Sequence, residues 1–71
     1  MYTGKRFRLT SATIGVIATS EPKSVVRIPR DAVVQVLSGP KGNDRTLDVL
    51  YEGQTLMMFV DDIVHGAEEI A

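Results

Sequence analysis

Hydrophobic and polar residues alternate along most of the chain, in short runs bounded by Gly, Pro, Asn and Asp. In VVRIPRDAVVQVL, for example, Val26 and Ile28 flank Arg27, and Val34 and Val36 flank Gln35. A period of two residues is typical of β-strands with one buried face. The Pro-Arg-Asp between the two runs predicts a tight corner, because proline fixes φ at the first corner position. The segment is therefore predicted to be strand, corner, strand.

A second pair of strands is predicted around the corner Glu52-Gly53-Gln54. The segment before it, TLDVLYEG, places Leu47, Val49 and Tyr51 on one face and Asp48, Leu50 and Glu52 on the other, so one face is predicted to be exposed to solvent. The segment after it, residues 55–60, has no wet face. Its two apolar sides consist of Leu56, Met58 and Val60 on one and of Met57 and Phe59 on the other.

A strand with two apolar faces has to be covered twice, once by its own core and once from outside. A chain of 71 residues has no room for a second layer of helices. A second copy of the chain is the simplest way to bury the outer face of this strand. The sequence therefore predicts a subunit interface at Leu56, Met57, Met58, Phe59 and Val60. The alternative is that one methionine lies exposed, as single apolar surface residues often do.

The segment DDIVHG predicts one short 3-10 turn near the C-terminus, with Asp61 or Asp62 as N-cap and His65 at its end. Ile63 and Val64 are expected to point to the core. A metal is not predicted, because the chain has one histidine and no cysteine, and the Asp-Asp-x-x-His segment offers at most three ligands. Paired catalytic carboxylates are not predicted either, since neighbouring side chains on an extended segment point apart.

Length and composition indicate a small domain that needs a source of stability beyond its own hydrophobic core. A chain this short buries only ~60% of the surface that its unfolded form exposes. Without cysteine, and with one histidine, disulfides and a structural metal are nearly excluded, which leaves oligomerisation, with a dimer favoured. The apolar run at residues 14–18 is too short for a signal peptide or a membrane span. We expect a bacterial cytoplasmic protein with no membrane partner and no cofactor.

Charge is distributed unevenly along the chain. Residues 1–35 hold six Lys and Arg against two Asp and Glu (+4), and residues 36–71 hold two against seven (−5), which together give the net charge of −1. A basic N-terminal arm supports an alternative, nucleic-acid binding, through Lys5, Arg6, Arg8, Arg27 and Arg30. Against it stand a pI of about 5.7 and the acidic residues available for pairing within or between chains.

The order of predicted elements, which ends in a final short strand at residues 67–70, resembles the small Src-homology-3-like (SH3-like) barrel over roughly residues 25–70. The phrase RIPRDAVVQVL...LDVLYEGQTLMMFVDDI is similar to short bacterial proteins with an Ile-Pro-x-Gly-x-x-Val corner and a Gly-Arg-x-x-x-Phe-x-x-Asp-Leu ending, for which no activity is established. Asp31 stands where that pattern has glycine, and Gln54 where it has arginine. The resemblance implies an all-β, SH3-like barrel of about five strands in one domain, residues 1–71, with residues 1–20 an arm or an edge strand.

The same barrel also occurs in the trimethoprim-insensitive dihydrofolate reductases encoded on plasmids, which are homotetramers with a shared pore. Their pore strand carries Val-Gln-Ile-Tyr, and the corresponding residues here are 56–59. Met57 and Phe59 replace the glutamine and tyrosine that hold cofactor and substrate, and VVQVLSG lacks the expected lysine. The resemblance therefore does not imply the enzyme's chemistry.

The function predicted from the sequence is a non-catalytic, self-associating interaction module, with a further protein partner left open. The alternatives are a weak nucleic-acid binder using the N-terminal arm, and an oligomeric ligand-binding or enzymatic barrel with a site where subunits meet.

Overall fold

The computed structural model describes residues 2–17, 22–40 and 44–70. Within them, the chain forms seven strands and one short helix. In chain order these are β1 (Arg6–Leu9), β2 (Thr13–Ile17), β3 (Ser24–Ile28), β4 (Val33–Ser38), β5 (Thr46–Tyr51), β6 (Gln54–Phe59), α1 (Val60–Val64) and β7 (Ala67–Ile70). The predicted all-β class is confirmed.

All seven strands belong to one antiparallel sheet in the order β3-β2-β6-β5-β4-β1-β7. The expectation of about five strands closed into a barrel is wrong, because the described strands number seven and the sheet has two separate edges, β3 and β7. The two additional strands come from residues 1–20. β1 lies between β4 and β7, and β2 lies between β3 and β6, so neither is an edge strand.

The sheet is strongly curled, as the connection from β3 to β4 requires. In a flat sheet four strand spacings of about 4.8 Å would separate these strands by about 19 Å. The chain crosses instead through a tight turn in which Ala32 N–H donates to Pro29 O at 3.2 Å. Leu9 holds this turn from β1, since Asp31 N–H donates to Leu9 O and Leu9 N–H to Ala32 O, each at 2.9 Å. Asp31 has φ 71°, a value that favours glycine.

The corner between β5 and β6 is a two-residue hairpin loop. Tyr51 pairs with Gln54, and the two residues between them have positive φ, 49° at Glu52 and 76° at Gly53. Positive φ at both positions is the type I′ pattern, whose twist matches that of the flanking strands. The predicted corner is confirmed, and it fixes which residues of β6 face inward.

The curled sheet encloses one apolar core. Within the described residues no polar or charged side chain is buried. The buried side chains come from the inward faces of β1 and β3–β6 and from α1, namely Phe7, Leu9, Ile28, Val34, Val36, Leu47, Val49, Leu56, Met58 and Ile63. The alternation in residues 25–36 and 46–51 therefore predicted the inward positions of β3, β4 and β5.

The helical turn differs from its prediction in three respects. It is α-helical rather than 3-10, and its N-cap is Phe59, which makes no side-chain capping bond, instead of Asp61 or Asp62. Both aspartates lie in the first turn, where carboxylates interact favourably with the helix dipole. Ile63 is buried as expected, but Val64 is 47% exposed, because a single helical turn presents only one side to the core.

The one helix within the described ranges is far too short to span a membrane.

Candidate interaction surface

The five residues predicted at the interface lie on different sides of β6. Leu56 and Met58 are each 1% exposed and belong to the protein's own core. Met57 and Phe59 lie on the opposite, outer face, where Met57 is half-buried and Phe59 is 52% exposed. Val60 does not extend the strand as expected but begins α1, half-buried against the core. Of the five, Met57 and Phe59 are the residues that β6 presents on the outer face.

Neighbouring strands add further apolar side chains beside Met57. In the sheet register Met57 pairs with Val16 of β2, and Val16 pairs with Val25 of β3. Ile14 precedes Val16 by two residues and shares its face. Val25 is 63% exposed and Ile14 is 43% exposed. We call this group of Ile14, Val16, Val25, Met57 and Phe59 the outer patch.

Gly15 explains how β2 lies so close to the core while presenting Ile14 and Val16 outward. It is buried, and a Cβ placed on it would lie 3.0 Å from Leu56 Cδ1 and 3.1 Å from Ile28 Cδ1. These separations are shorter than ordinary carbon contacts of about 3.5–4.0 Å. The absence of a side chain on the inward face therefore allows β2 to pack on the core at this distance.

An acidic groove borders the outer patch where β6 runs into α1. It has a volume of about 670 Å³ and is lined by Asp44, Arg45, Phe59, Val60, Asp61 and Asp62. Asp62 accepts a hydrogen bond of 2.7 Å from the Thr13 hydroxyl, which ties α1 to β2. Asp44 and Asp61 are exposed. Three carboxylates and one guanidinium give the groove a formal charge of −2.

A second groove borders the patch on the side of β3. It has a volume of about 480 Å³ and is lined by Ala12, Thr13, Ile14, Arg27, Ile28 and Pro29. Its one charged side chain is Arg27, which is exposed and lies opposite Ile14 in the register. Ile14 therefore lies between Arg27 of this second groove and Phe59 of the acidic groove.

The basic residues of the nucleic-acid alternative are partly neutralised by the chain itself. Arg8 Nη2 lies 2.9 Å from Glu68 Oε2, and Lys5 Nζ lies 3.5 Å from Glu69 Oε1. These exposed pairs join β1, or the residue just before it, to β7 and contribute little to stability, but they reduce the positive potential of the N-terminal arm. Arg6 lies on β1, Arg27 on β3 and Arg30 in the turn after it.

His65 caps the C-terminus of α1, and its backbone N–H donates to Asp61 O at 2.9 Å. Across residues 2–17, 22–40 and 44–70, no three His, Cys, Asp or Glu side chains are grouped as metal ligands would be.

Tyr51, at the β5–β6 hairpin, has a hydroxyl whose pKa is raised by its surroundings. Burial raises the pKa of its hydroxyl above the ordinary value of 10.0, and the adjacent Glu52 raises it further through its charge and a hydrogen bond. Tyr51 lies at the opposite end of β6 from the acidic groove.

The sequence did not point to Ile14, Val16 and Val25 as surface residues. The signal was present in the Val25-Val26 pair, since two consecutive valines in a strand place one on each face. Comparison of the chain with protein-family models, with curated proteins and with solved structures found no match.

Proposed function

We propose that the protein is a non-catalytic interaction domain that associates with a second copy of itself, as a dimer, through the outer patch. The observation that carries the proposal is the continuous apolar surface across β2, β3 and β6, on a chain whose core is small. The proposal extends to the SH3-like character of the fold, which is supported by the strong curl of the sheet and by the single helical turn between its last two strands.

The size of the patch supports a functional contact. Val25, Phe59 and Ile14 are 63%, 52% and 43% exposed. Taking ~150–200 Å² for each residue when fully exposed, they present roughly 300 Å² of surface. Met57 and Val16 add to this area. Patches of about 300–600 Å² are the largest on typical monomers and are often functional.

The patch also lies beside a sheet edge that a second chain could extend. β3 is an edge strand, and Val25 is the most exposed of the large apolar side chains. The other edge, β7, carries Glu68 and Glu69, and charged residues are a common protection against edge-to-edge association. The apolar edge is thus the one beside the outer patch.

A cytoplasmic setting is part of the proposal. The chain has no cysteine, which agrees with a reducing compartment. We favour self-association over nucleic-acid binding because two of the five candidate cations are already paired with glutamates.

The test is the molar mass in solution of two matched variants, measured by light scattering during size exclusion. Ile14 and Val33 are both 43% exposed strand residues, but Val33 lies on β4, opposite Arg8 and away from the patch. We expect the wild type and Val33→Ser to be dimers and Ile14→Ser to shift to the monomer mass of 7.8 kDa. Equal masses for all three, at 7.8 kDa over a wide concentration range, would refute the proposal.

A further inference from the structure

The outer face carries an ordered row of side chains across four strands. Arg27 of β3 pairs with Ile14 of β2. The antiparallel pair Val16–Met57 places Ile14 at the level of Phe59 on β6, and Phe59 pairs with Thr46 of β5. The row therefore runs from a cation through two exposed apolar side chains to β5, beside the acidic groove.

Among the described residues, no ion pair neutralises the two charged ends of this row. Arg27, Asp44 and Asp61 are all exposed. Across the described ranges, ion pairs join Lys5 to Glu69 and Arg8 to Glu68, and none involves Arg27 or the residues of the acidic groove, Arg45 included. A guanidinium and a groove of charge −2 thus lie on opposite sides of the Ile14–Phe59 pair.

We propose that the dimer is isologous, about a twofold axis parallel to the strands and between β2 and β6, and that Arg27 of each copy enters the acidic groove of the other. This inference rests on the proposed self-association. Measured along the curled sheet, with strands about 4.8 Å apart, Arg27 and Thr46 lie about 7 Å on either side of that axis. The twofold operation then places Arg27 of one copy over the Thr46 end of the other, and Ile14 over Phe59.

The arrangement suits a second copy of this chain because the face is complementary to itself. In an isologous interface each contact occurs twice, so a cation and its acceptor must lie at equal distances from the axis. Packed sheets lie about 10 Å apart with their strands nearly aligned, a gap that apolar side chains fill from both sides. Phe59 also lines the groove, so a guanidinium that enters it can contact an aromatic ring.

The area available is sufficient for a stable dimer. A standard interface buries about 800 Å² on each partner. The chain exposes 4751 Å² in total, so such an interface would use about a sixth of its surface. The outer patch with the two grooves beside it extends over β3, β2, β6 and the start of α1. Nucleic acid is a poor occupant, because the groove would repel phosphates.

Charge reversal tests the pairing directly. One variant is Arg27→Glu. The other, the groove variant, combines Asp44→Arg with Asp61→Arg and changes the formal charge of the groove from −2 to +2. In either homodimer the substitution acts at both symmetric contacts and places like charges together. We expect each variant alone to dimerise at least about tenfold more weakly than the wild type in sedimentation velocity.

An equal mixture of the two variants is the decisive sample. In the mixed dimer the carboxylate introduced by Arg27→Glu on one chain faces the positive groove, and the unchanged Arg27 of the other chain faces the native groove, so both contacts attract. We expect the mixture to recover the wild-type dissociation constant to within about threefold, and to lose this recovery at high salt as charges are screened. Recovery on mixing cannot arise from a contact within one chain.

Controls reverse charges elsewhere on the surface. Arg30→Glu lies in the turn after β3 and Glu52→Arg at the β5–β6 hairpin, and both are expected to dimerise as the wild type does. Far-UV circular dichroism checks that each variant is folded. If Asp61→Arg unfolds α1, Asp44→Arg alone, which brings the groove to zero charge, replaces the groove variant.

The outcomes separate the two proposals. If Arg27→Glu and the groove variant dimerise like the wild type, the inferred charge pairing is wrong and self-association through the outer patch stands. If both weaken the dimer but their mixture does not recover, the inferred register is wrong. If the wild type itself remains a monomer, the proposed function fails, and this inference fails with it.

Discussion

Replacing Gly15 with alanine should destabilise the protein, although alanine is normally the better residue in a strand. The added Cβ would lie 3.0 Å from Leu56 Cδ1, 3.1 Å from Ile28 Cδ1 and 3.2 Å from Leu56 Cβ. Leu56 and Ile28 are 1% and 0% exposed, so neither side chain has free space to move into.

The expected magnitude is the difference between two opposing effects. Inserting a methyl group into a packed core costs about 1–3 kcal/mol. Removing a glycine from the unfolded chain gains about 0.4–1 kcal/mol. Taking the middle of each range, the net loss in the free energy of unfolding should be about 1.3 kcal/mol. Urea denaturation at one fixed protein concentration measures it, since dimerisation makes stability concentration-dependent.

A double-mutant cycle shows whether the loss comes from this contact. Ile28→Val removes only Cδ1, which would lie 3.1 Å from the new methyl group, and alone should cost about 0.5–1.5 kcal/mol. Combined with Gly15→Ala, the loss should be smaller than the sum by at least about 0.5 kcal/mol. An additive cycle, or a Gly15→Ala variant as stable as the wild type, would refute the close packing of β2 on the core.

Three further predictions concern single positions. Asp31→Val should cost about 1–2 kcal/mol in urea denaturation because φ is 71° there, whereas Asp31→Gly should stay within about 1 kcal/mol of the wild type; equal losses would contradict the backbone conformation. In a Tyr2→Phe background, the phenol absorbance of Tyr51 should titrate with a pKa above 10.0, and Glu52→Gln should lower that pKa part of the way, because burial is the larger cause. The folded state holds the Tyr51 proton more tightly than the unfolded chain does. The contribution of Tyr51 to the free energy of unfolding is therefore complete below pH 10 and is lost as the pH rises through the raised pKa. A free energy of unfolding that does not fall over this pH range would contradict the assignment.

The strands from β3 to β6 could be predicted from the sequence because their alternation is local. Val34 and Val36, or Leu47 and Val49, indicate a buried face without reference to any other part of the chain, and Glu52-Gly53 indicates the hairpin. The C-terminal strand β7 was likewise expected at residues 67–70. These elements pair with close neighbours in sequence or end at clear turn residues.

The remaining features depend on contacts between distant residues. β1 pairs with β4 and β7, and β2 with β6, across more than twenty residues in each case, so their positions in the sheet leave no local signal. The face of β6 that meets the core could not be chosen from Leu56-Met57-Met58-Phe59, because both sides are equally apolar. The register of β6 with β5, which the hairpin fixes, determines which face of β6 is buried. Gly15 within an apolar run was the overlooked sign of close strand packing.

Intermolecular nuclear Overhauser effects in a mixed sample would test the central claim, self-association through the outer patch, most directly. The sample contains equal amounts of ¹³C-labelled and unlabelled chains, and an isotope-filtered experiment detects contacts between chains only. We expect intermolecular contacts from the methyl groups of Ile14 and Val16 to Met57 and Phe59. Contacts confined to Val33 or Val64, which lie outside the patch, or no contacts in a protein with the mass of one chain, would contradict the account.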